Sequence, residues 1–278
     1  MKNMNLQSKI NDIKRGDVAI LGIPSDENSS FMAGPAEAPG HIRQALHSGS
    51  ANLSTEDGTD LDNETRFIDI GDLVLSEGDV ALQEIEAGVG QVLQVGAGLM
   101  SLGGDHSITY PILRAYAAQY QNLNILQFDA HSDTYEIYAG NRFSHACPFA
   151  RIMEEGLANK LVQCGIRTLT KEHRAQNERF GIQVHEMRNW QPGTTIDIEG
   201  LIYISLDLDA LDPAFAPGVS HHEPGGLSTR DILHVLQNLN GRIVGADIVE
   251  LNPKRDINNM TAMTAAKLLK EIAALMLR

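Results

Sequence analysis

Short apolar runs recur along this chain and predict the strands of a buried sheet. Each run is bounded by turn residues, and those in the second half of the chain do not alternate with polar positions, as expected of parallel strands that are covered on both faces. Eight segments fit this description, at residues 18–24, 66–73, 98–104, 123–129, 160–167, 181–187, 201–209 and 242–251.

Helical periodicity separates most of these runs. It predicts helices at residues 40–49, 79–95, 107–121, 228–239 and 261–277, whereas residues 25–64 are predicted to be irregular around the first helix. Alternating strands and helices indicate a three-layer α/β fold, an eight-stranded parallel sheet flanked by helices. No linker, charge block or internal repeat divides residues 1–278, so we expect a single domain.

Composition and charge narrow the function. The formal net charge of -14 disfavours binding to nucleic acid or anionic lipid and favours a small cationic substrate, although an acidic surface also serves solubility alone. No apolar stretch is long enough to span a membrane, and the first residues lack the apolar core of a signal peptide, so we expect a cytoplasmic protein. We expect Cys147 and Cys164 to be reduced thiols.

Metal-ligand residue types follow three of the predicted strands, in the segments LGGDHS, QFDAHSDTY and SLDLDALDP. Side chains two residues apart on a strand share a face, so Asp207 and Asp209 are expected to point together, and Asp129, His131 and Asp133 do so if the chain stays extended. The residues concerned are Asp105, His106, Asp129, His131, Asp133, Asp207 and Asp209.

Carboxylates gathered at the buried edge of a sheet would repel one another unless cations compensate them. Several carboxylates with two histidines and no cysteine favour an oxygen-accepting ion such as manganese over structural zinc. Four carboxylates are too many for one ion, which suggests two metals. The alternative is that any one Asp or His after a strand caps a helix or forms a turn.

These motifs resemble those of the ureohydrolase family, which includes arginases and agmatinases. The resemblance runs from AILGIPSDENSSFMAGPAEAPGHIRQAL through SLGGDHS, FDAHSD, FSHACPFARIMEEG, SLDLDALDPAFAPG and GADIVELNP to the last helix, and so covers essentially the whole chain. It implies an arginase-type fold, assembly as a homotrimer or homohexamer, and two manganese ions per subunit.

The resemblance also implies roles for individual residues. One manganese would be held by His106, Asp129, Asp133 and Asp207, and the other by His131, Asp129, Asp207 and Asp209, so that Asp129 and Asp207 bridge. A water shared by the metals would ionise near neutral pH and attack the guanidinium carbon.

Two further residues match catalytic positions of the family. His145 in FSHACPF would transfer a proton to the leaving amine, and Glu250 at the end of GADIVEL would hold the guanidinium. Asp212 and Asp247 are expected to form turns or to orient ligands. Without the family motif, His145 would be interpreted as a structural histidine and Glu250 as an exposed charge at the end of a strand.

The substrate is less constrained. Animal-type arginases clamp the α-amino and α-carboxylate groups of arginine with residues that this chain lacks after Asp133 and in GIRTLTKEHR, which favours agmatine. SHACPF is similar to an agmatinase form, but APGVSHHEPGGLS resembles plant-type arginases, which also lack the animal clamp and keep arginine open as a substrate. We therefore expect an agmatinase, with an arginase or another guanidino-acid hydrolase as alternatives; His221 and His222 are either pocket residues or solvated ones.

Two other classes compete with this prediction. A zinc deacetylase shares the fold and a related DxH motif, but it needs one metal site only, whereas His106, Asp133 and Asp209 supply a second set. A non-catalytic family member would not be expected to keep all six ligands together with His145 and Glu250.

Overall fold

The computed structural model, which describes residues 6–278, contains all eight predicted strands in one parallel sheet. The strands are β1 (Val18–Ile23), β2 (Phe67–Asp72), β3 (Gly98–Gly103), β4 (Leu123–Phe128), β5 (Lys160–Ile166), β6 (Gln183–Glu186), β7 (Leu201–Asp207) and β8 (Arg242–Val249). Their order across the sheet is β2-β1-β3-β8-β7-β4-β5-β6. The predicted fold class is confirmed.

Helices cover both faces of the sheet. The five predicted helices are present as α2 (Ala38–Leu46), α3 (Asp79–Val95), α4 (Thr109–Ala117), α7 (Thr229–Gln237) and α8 (Met260–Met276). Three more were not predicted: α1 (Leu6–Asp12), α5 (Pro148–Glu154) and α6 (Lys171–Phe180). The α6 sequence KEHRAQNERF has no apolar stripe, so hydrophobic periodicity could not reveal it; it begins at a capping box formed by Thr170 and His173.

Alternate residues of each strand point to opposite faces. Both faces are buried in the six inner strands, whereas the edge strands β2 and β6 are partly exposed. On β1, Val18 and Ile20 pack into the apolar layer beneath α2, α7 and α8, whereas Ala19 and Leu21 pack into the layer beneath α1, α3, α4 and α5. This arrangement explains why the strand sequences show no polar alternation. No helix in residues 6–278 is both long enough and apolar enough to cross the membrane.

The sheet order brings the predicted motifs together. Strands β3, β8, β7 and β4 are consecutive neighbours, and the segments LGGDHS, GADIVEL, SLDLD and QFDAHSD leave their carboxyl ends. Gly104 is required at this edge because a Cβ there would lie 1.7 Å from the carbonyl oxygen of Ser25. The loop that follows β1 therefore passes directly against the residues that follow β3.

Candidate active site

The first group of predicted ligands converges on one point. The Nδ1 atom of His106 lies 3.1 Å from Oδ2 of Asp129 and 3.2 Å from Oδ2 of both Asp133 and Asp207. All four side chains are nearly or fully buried. Three acidic oxygens and one imidazole nitrogen are thus directed at the same small volume.

The hydrogen-bonding state of His106 shows that this volume suits a cation. The Ser205 hydroxyl donates to Asp247 (2.8 Å), so its oxygen accepts Nε2–H of His106 (2.9 Å). In this tautomer Nδ1 carries a lone pair, and it has no hydrogen-bond partner among the described residues. A lone pair facing three carboxylates is repulsive unless positive charge lies between them, and a divalent metal supplies it.

Electrostatics point the same way. Burial lowers the pKa of His106, but the negative charges of the three carboxylates beside it outweigh that effect and raise the pKa well above its ordinary value. The group therefore attracts positive charge, whether a proton or a metal ion.

A second group shares Asp129 with the first. Nδ1 of His131 lies 3.0 Å from Oδ2 of Asp209 and 3.5 Å from Oδ1 of Asp129. Ligand atoms from these three residues lie close enough together to hold an ion. Asp207 uses its Oδ1 to accept the backbone N–H of Asp209 (2.7 Å), and its bridging role remains a prediction.

The carboxylates are oriented differently from the extended arrangement expected from the sequence. β4 ends at Phe128 and β7 at Asp207, so neither acidic segment continues as a strand. Asp207 instead caps a 3-10 turn at Leu208–Ala210, and Asp133 has a φ of 50°. Turns, and not strand alternation, place these oxygens.

Polar residues inside the strands hold the carboxylates. Gln127 donates to Oδ2 of Asp129 (2.7 Å), and the backbone N–H of His131 donates to Oδ1 of the same Asp129 (2.6 Å). The backbone N–H of Ala130 donates to Asp209 (3.0 Å). Gln127 and Ser205 each lie two residues before an aspartate and are fully buried. These supports were missed in the sequence, although a polar residue inside an apolar strand was the available signal.

Asp247 and Asp212 have the supporting roles that were expected. Asp247 is fully buried and accepts hydrogen bonds from Ser205 (2.8 Å), Tyr203 (2.8 Å) and Thr109 (2.9 Å), which links it through Ser205 to His106. Asp212 accepts backbone N–H groups of its own turn and of the 225–226 turn. Asp247 thus orients a predicted ligand, whereas Asp212 shapes a loop.

The two predicted catalytic residues contact each other. Oε1 of Glu250 lies 2.8 Å from Nδ1 of His145 and accepts the backbone N–H of His106 at 2.9 Å. Burial lowers the pKa of His145, but the charge and hydrogen bond of Glu250 outweigh it and raise that pKa to about 9. This histidine can therefore carry a proton at neutral pH.

Ser30 completes this pair and was not predicted. Its hydroxyl lies 2.8 Å from Nε2 of His145, and its backbone N–H donates to the same nitrogen at 3.1 Å. The backbone contact requires a neutral imidazole, whereas the raised pKa favours a charged one. A hydroxyl can donate to neutral Nε2 or accept from protonated Nε2. Ser30 can therefore keep its hydrogen bond to His145 in both protonation states of the imidazole.

Asp105 anchors the loop that carries Ser30. Its carboxylate accepts from the backbone N–H of Asn28 (3.0 Å) and the hydroxyl of Ser29 (3.2 Å), and it also caps the turn at Ser107. The Asp105 side chain is directed at this loop and lies outside both ligand groups. The GGDH segment thus supplies one predicted ligand and one loop anchor.

Glu250 has a φ of 66°, a left-handed conformation that is rare for a residue with a Cβ atom. Such a conformation costs roughly 1–3 kcal/mol and persists only where surrounding contacts impose it. Here the backbone N–H of Glu250 donates to the Gly104 carbonyl at 2.9 Å. The strained backbone directs the carboxylate to His145.

A cavity of about 320 Å³ opens over these residues. Four acidic residues line it, and we call them the acidic cluster: Asp133, Asp207, Asp209 and Glu250. They lie at or just after the carboxyl ends of β4, β7 and β8. Its α6 cluster, defined as Thr168, Thr170 and His173, follows β5, the next strand outward. The other lining residues are Ser30, His131, Tyr135, Tyr138, His145, Ala146, His221 and Glu223.

The two adjacent histidines of the 216–228 loop differ in position. His221 lines the cavity, with its ring centroid 5.3 Å from that of His145. His222 faces away and contacts the Pro217 carbonyl (2.6 Å) and Arg255 (3.1 Å). Only His221 is placed to meet a ligand in the cavity.

Arg167 ties this loop to the acidic cluster. Its guanidinium donates to the backbone carbonyls of Glu223 (2.6 and 2.8 Å), Asp209 (2.7 Å) and Gly165 (3.0 Å). The five N–H groups of arginine suit such a clamp. Arg167 therefore sets the position of the Glu223 loop relative to Asp209.

Comparison with known proteins agrees with this geometry. A family model described as "Arginase family" matches residues 16–275. "Arginase 1, mitochondrial" of Arabidopsis thaliana is 45% identical, covering 94% of this chain and 81% of that protein. "Agmatinase" of Bacillus anthracis is 31% identical, covering 93% and 91%. The solved structure "Arginase from Medicago truncatula" has a TM-score of 0.90 at 40% identity, covering 98% and 92%.

Proposed function

The chain belongs to the arginase family, and we propose that it hydrolyses L-arginine to urea and L-ornithine. The observation that supports arginine is the 45% identity to a plant arginase over 94% of the chain, against 31% to an agmatinase. This reverses the preference for agmatine that rested on the missing animal-type clamp. Plant-type arginases lack that clamp too, so its absence does not discriminate.

The residues fit a two-manganese centre. His106, Asp129, Asp133 and Asp207 would hold one ion, and His131, Asp129, Asp207 and Asp209 the other. The oxygen-rich donor set and the unpartnered Nδ1 of His106 support this assignment. When bound, two such ions would supply Lewis acidity and lower the pKa of a water molecule.

The chain's own residues would then orient the substrate and move the proton. Glu250 would hold the guanidinium through a charge-assisted hydrogen bond, with its carbon above the ligand groups. Water oxygen adds to that carbon, and the bond from the carbon to the side-chain nitrogen breaks. His145 gives its proton to the departing nitrogen. Of the two protons that the water loses on becoming the urea oxygen, one reprotonates His145 and the other is taken up by the released amine, so ornithine leaves with its side-chain nitrogen protonated and urea remains.

Membership of the family also bears on domain organisation and assembly. We propose a single catalytic domain that assembles as a homotrimer or homohexamer. A cytoplasmic location remains a prediction.

A substrate panel tests the proposal. Manganese-loaded protein would be incubated separately with arginine, agmatine and 4-guanidinobutyrate, while urea and bound metal per chain are measured. We expect arginine to give the highest kcat/KM. A higher value for agmatine would return the protein to the agmatinases, and no urea from any of the three would overturn the proposed reaction.

A further inference from the structure

The α6 cluster contains a buried donor that the mechanism above does not use. His173 is 3% exposed and lines the cavity, and its Nε2 atom is buried without a hydrogen-bond partner among the described residues. An unsatisfied buried N–H group destabilises the folded protein. Such a group indicates that an acceptor belongs beside it.

The protonation of His173 follows from its neighbours. Nδ1 accepts the backbone N–H of Thr170 at 3.3 Å, which places the single proton of the neutral ring on Nε2. Burial lowers the pKa of His173 to about 4, so the ring is neutral at physiological pH. Nε2 is therefore an N–H donor.

A second donor lies at the start of the same helix. The Thr170 hydroxyl oxygen accepts the backbone N–H of His173 at 3.2 Å, and among the described residues its own hydrogen has no acceptor. Thr170 is exposed and lines the cavity. The first backbone N–H groups of α6 add the positive end of a helix dipole.

The charges of the cavity decide what this cluster binds. A cationic guanidinium is attracted to the acidic cluster, which would repel a carboxylate. The α6 cluster holds no carboxylate and presents an unpartnered imidazole N–H, a hydroxyl and a helix N-terminus. In arginine the guanidinium and the α-carboxylate lie at opposite ends of the molecule.

We propose that Thr170 and His173 form the subsite for the substrate's α-carboxylate, and that this subsite selects guanidino amino acids over decarboxylated guanidines. The proposal rests on the proposed function and names the specificity determinant of the same cavity. Nε2–H of His173 and the Thr170 hydroxyl donate to the carboxylate oxygens.

The test compares two ligands that differ only in the carboxylate. Binding of L-ornithine and of putrescine to the manganese-loaded protein would be measured by calorimetry, which requires no turnover. His173→Leu removes the donor, whereas His173→Gln keeps an N–H group. Gln176→Leu is the matched control, because Gln176 lies on the same helix, is 6% exposed and does not line the cavity.

A hydrogen bond to a charged group is worth about 1.5–3 kcal/mol, which corresponds to roughly tenfold or more in Kd. We expect His173→Leu to weaken ornithine by about that factor and putrescine by less than about twofold. His173→Gln should restore most of the preference, and Gln176→Leu should leave it unchanged.

Thr170 provides an independent variant in case His173→Leu does not fold. Thr170→Val should weaken ornithine selectively, whereas Thr170→Ser, which keeps the hydroxyl, should not. Equal effects on both ligands, or no effect of either variant, would overturn the subsite and leave a bound water as the acceptor for His173. Failure of wild-type protein to bind ornithine would also overturn it.

The proposed function has a separate readout. If the wild-type protein releases no urea from arginine yet binds ornithine in a His173-dependent manner, the reaction is wrong and the carboxylate subsite stands.

Discussion

The acidic cluster and the α6 cluster line one cavity but are built in different ways. The acidic cluster follows neighbouring central strands, and the predicted ligands beside it, Asp129 and His106, are held by the buried side chains of Gln127 and Ser205. The α6 cluster follows β5 and begins a polar helix, and Nε2 of its His173 has no hydrogen-bond partner within the described residues. The proposed chemistry would therefore lie at the strand ends and the turns that follow them, whereas the proposed recognition of the carboxylate would lie at the start of a helix.

This difference leads to a general expectation. Changes in the acidic cluster or its supports should reduce turnover of every guanidino substrate alike, because they act on the group that all such substrates share. Changes in the α6 cluster should alter the preference between substrates instead.

The largest effect is expected from Asp129→Ala. Asp129 belongs to both ligand groups, so its removal should release metal and reduce urea formation by about 1000-fold or more, equally for all substrates. Metal per chain and initial rates measure this. Asp62→Ala removes an exposed carboxylate away from the site and is the control; unchanged manganese content in Asp129→Ala would contradict the two-metal assignment.

His145→Ala should have the next largest effect. Loss of a proton donor typically lowers kcat by about 100-fold or more, while metal content stays at the wild-type level because His145 is not among the predicted ligands. His222→Ala is a matched control, since that histidine faces away from the cavity. An undiminished rate in His145→Ala would remove its assigned role.

Asp247→Asn should have the smallest of these effects. It disturbs the hydrogen-bonded connection through Ser205 to His106, and loss of such an orienting group typically weakens metal affinity by about tenfold. Manganese titration of the metal-depleted protein measures the shift. Ser205→Ala interrupts the same connection and should shift the affinity in the same direction; an unchanged affinity in both variants would show that the connection does not orient His106.

Much of the fold could be predicted because one physical signal dominates it. Strands covered on both faces are mostly apolar, and short apolar runs located all eight strands. The same signal failed for α6, whose residues are mostly polar and which is defined by Thr170 at its start and a left-handed Gly181 at its end. Helices α1 and α5, of seven residues each, are too short to show a clear period.

The candidate ligands were also visible in the sequence, but their arrangement was not. His106, Asp129 and Asp207 follow apolar runs, and parallel strands end at one edge. The expected extended geometry of the acidic segments was wrong, because turns after β4 and β7 direct the carboxylates. Ser30 gave no signal, since it lies in an irregular loop whose course depends on Asp105 and on the close approach at Gly104.

The sequence by itself determined which segments are buried and which chemical groups follow them, because burial and residue type are local properties. Only the tertiary structure decided that β3, β8, β7 and β4 are neighbours, that Glu250 meets His145, and that the start of α6 faces the same cavity. Those relations depend on contacts between residues that are distant in the sequence, such as His145 and Glu250, which are 105 positions apart, and such contacts form only when the layers pack.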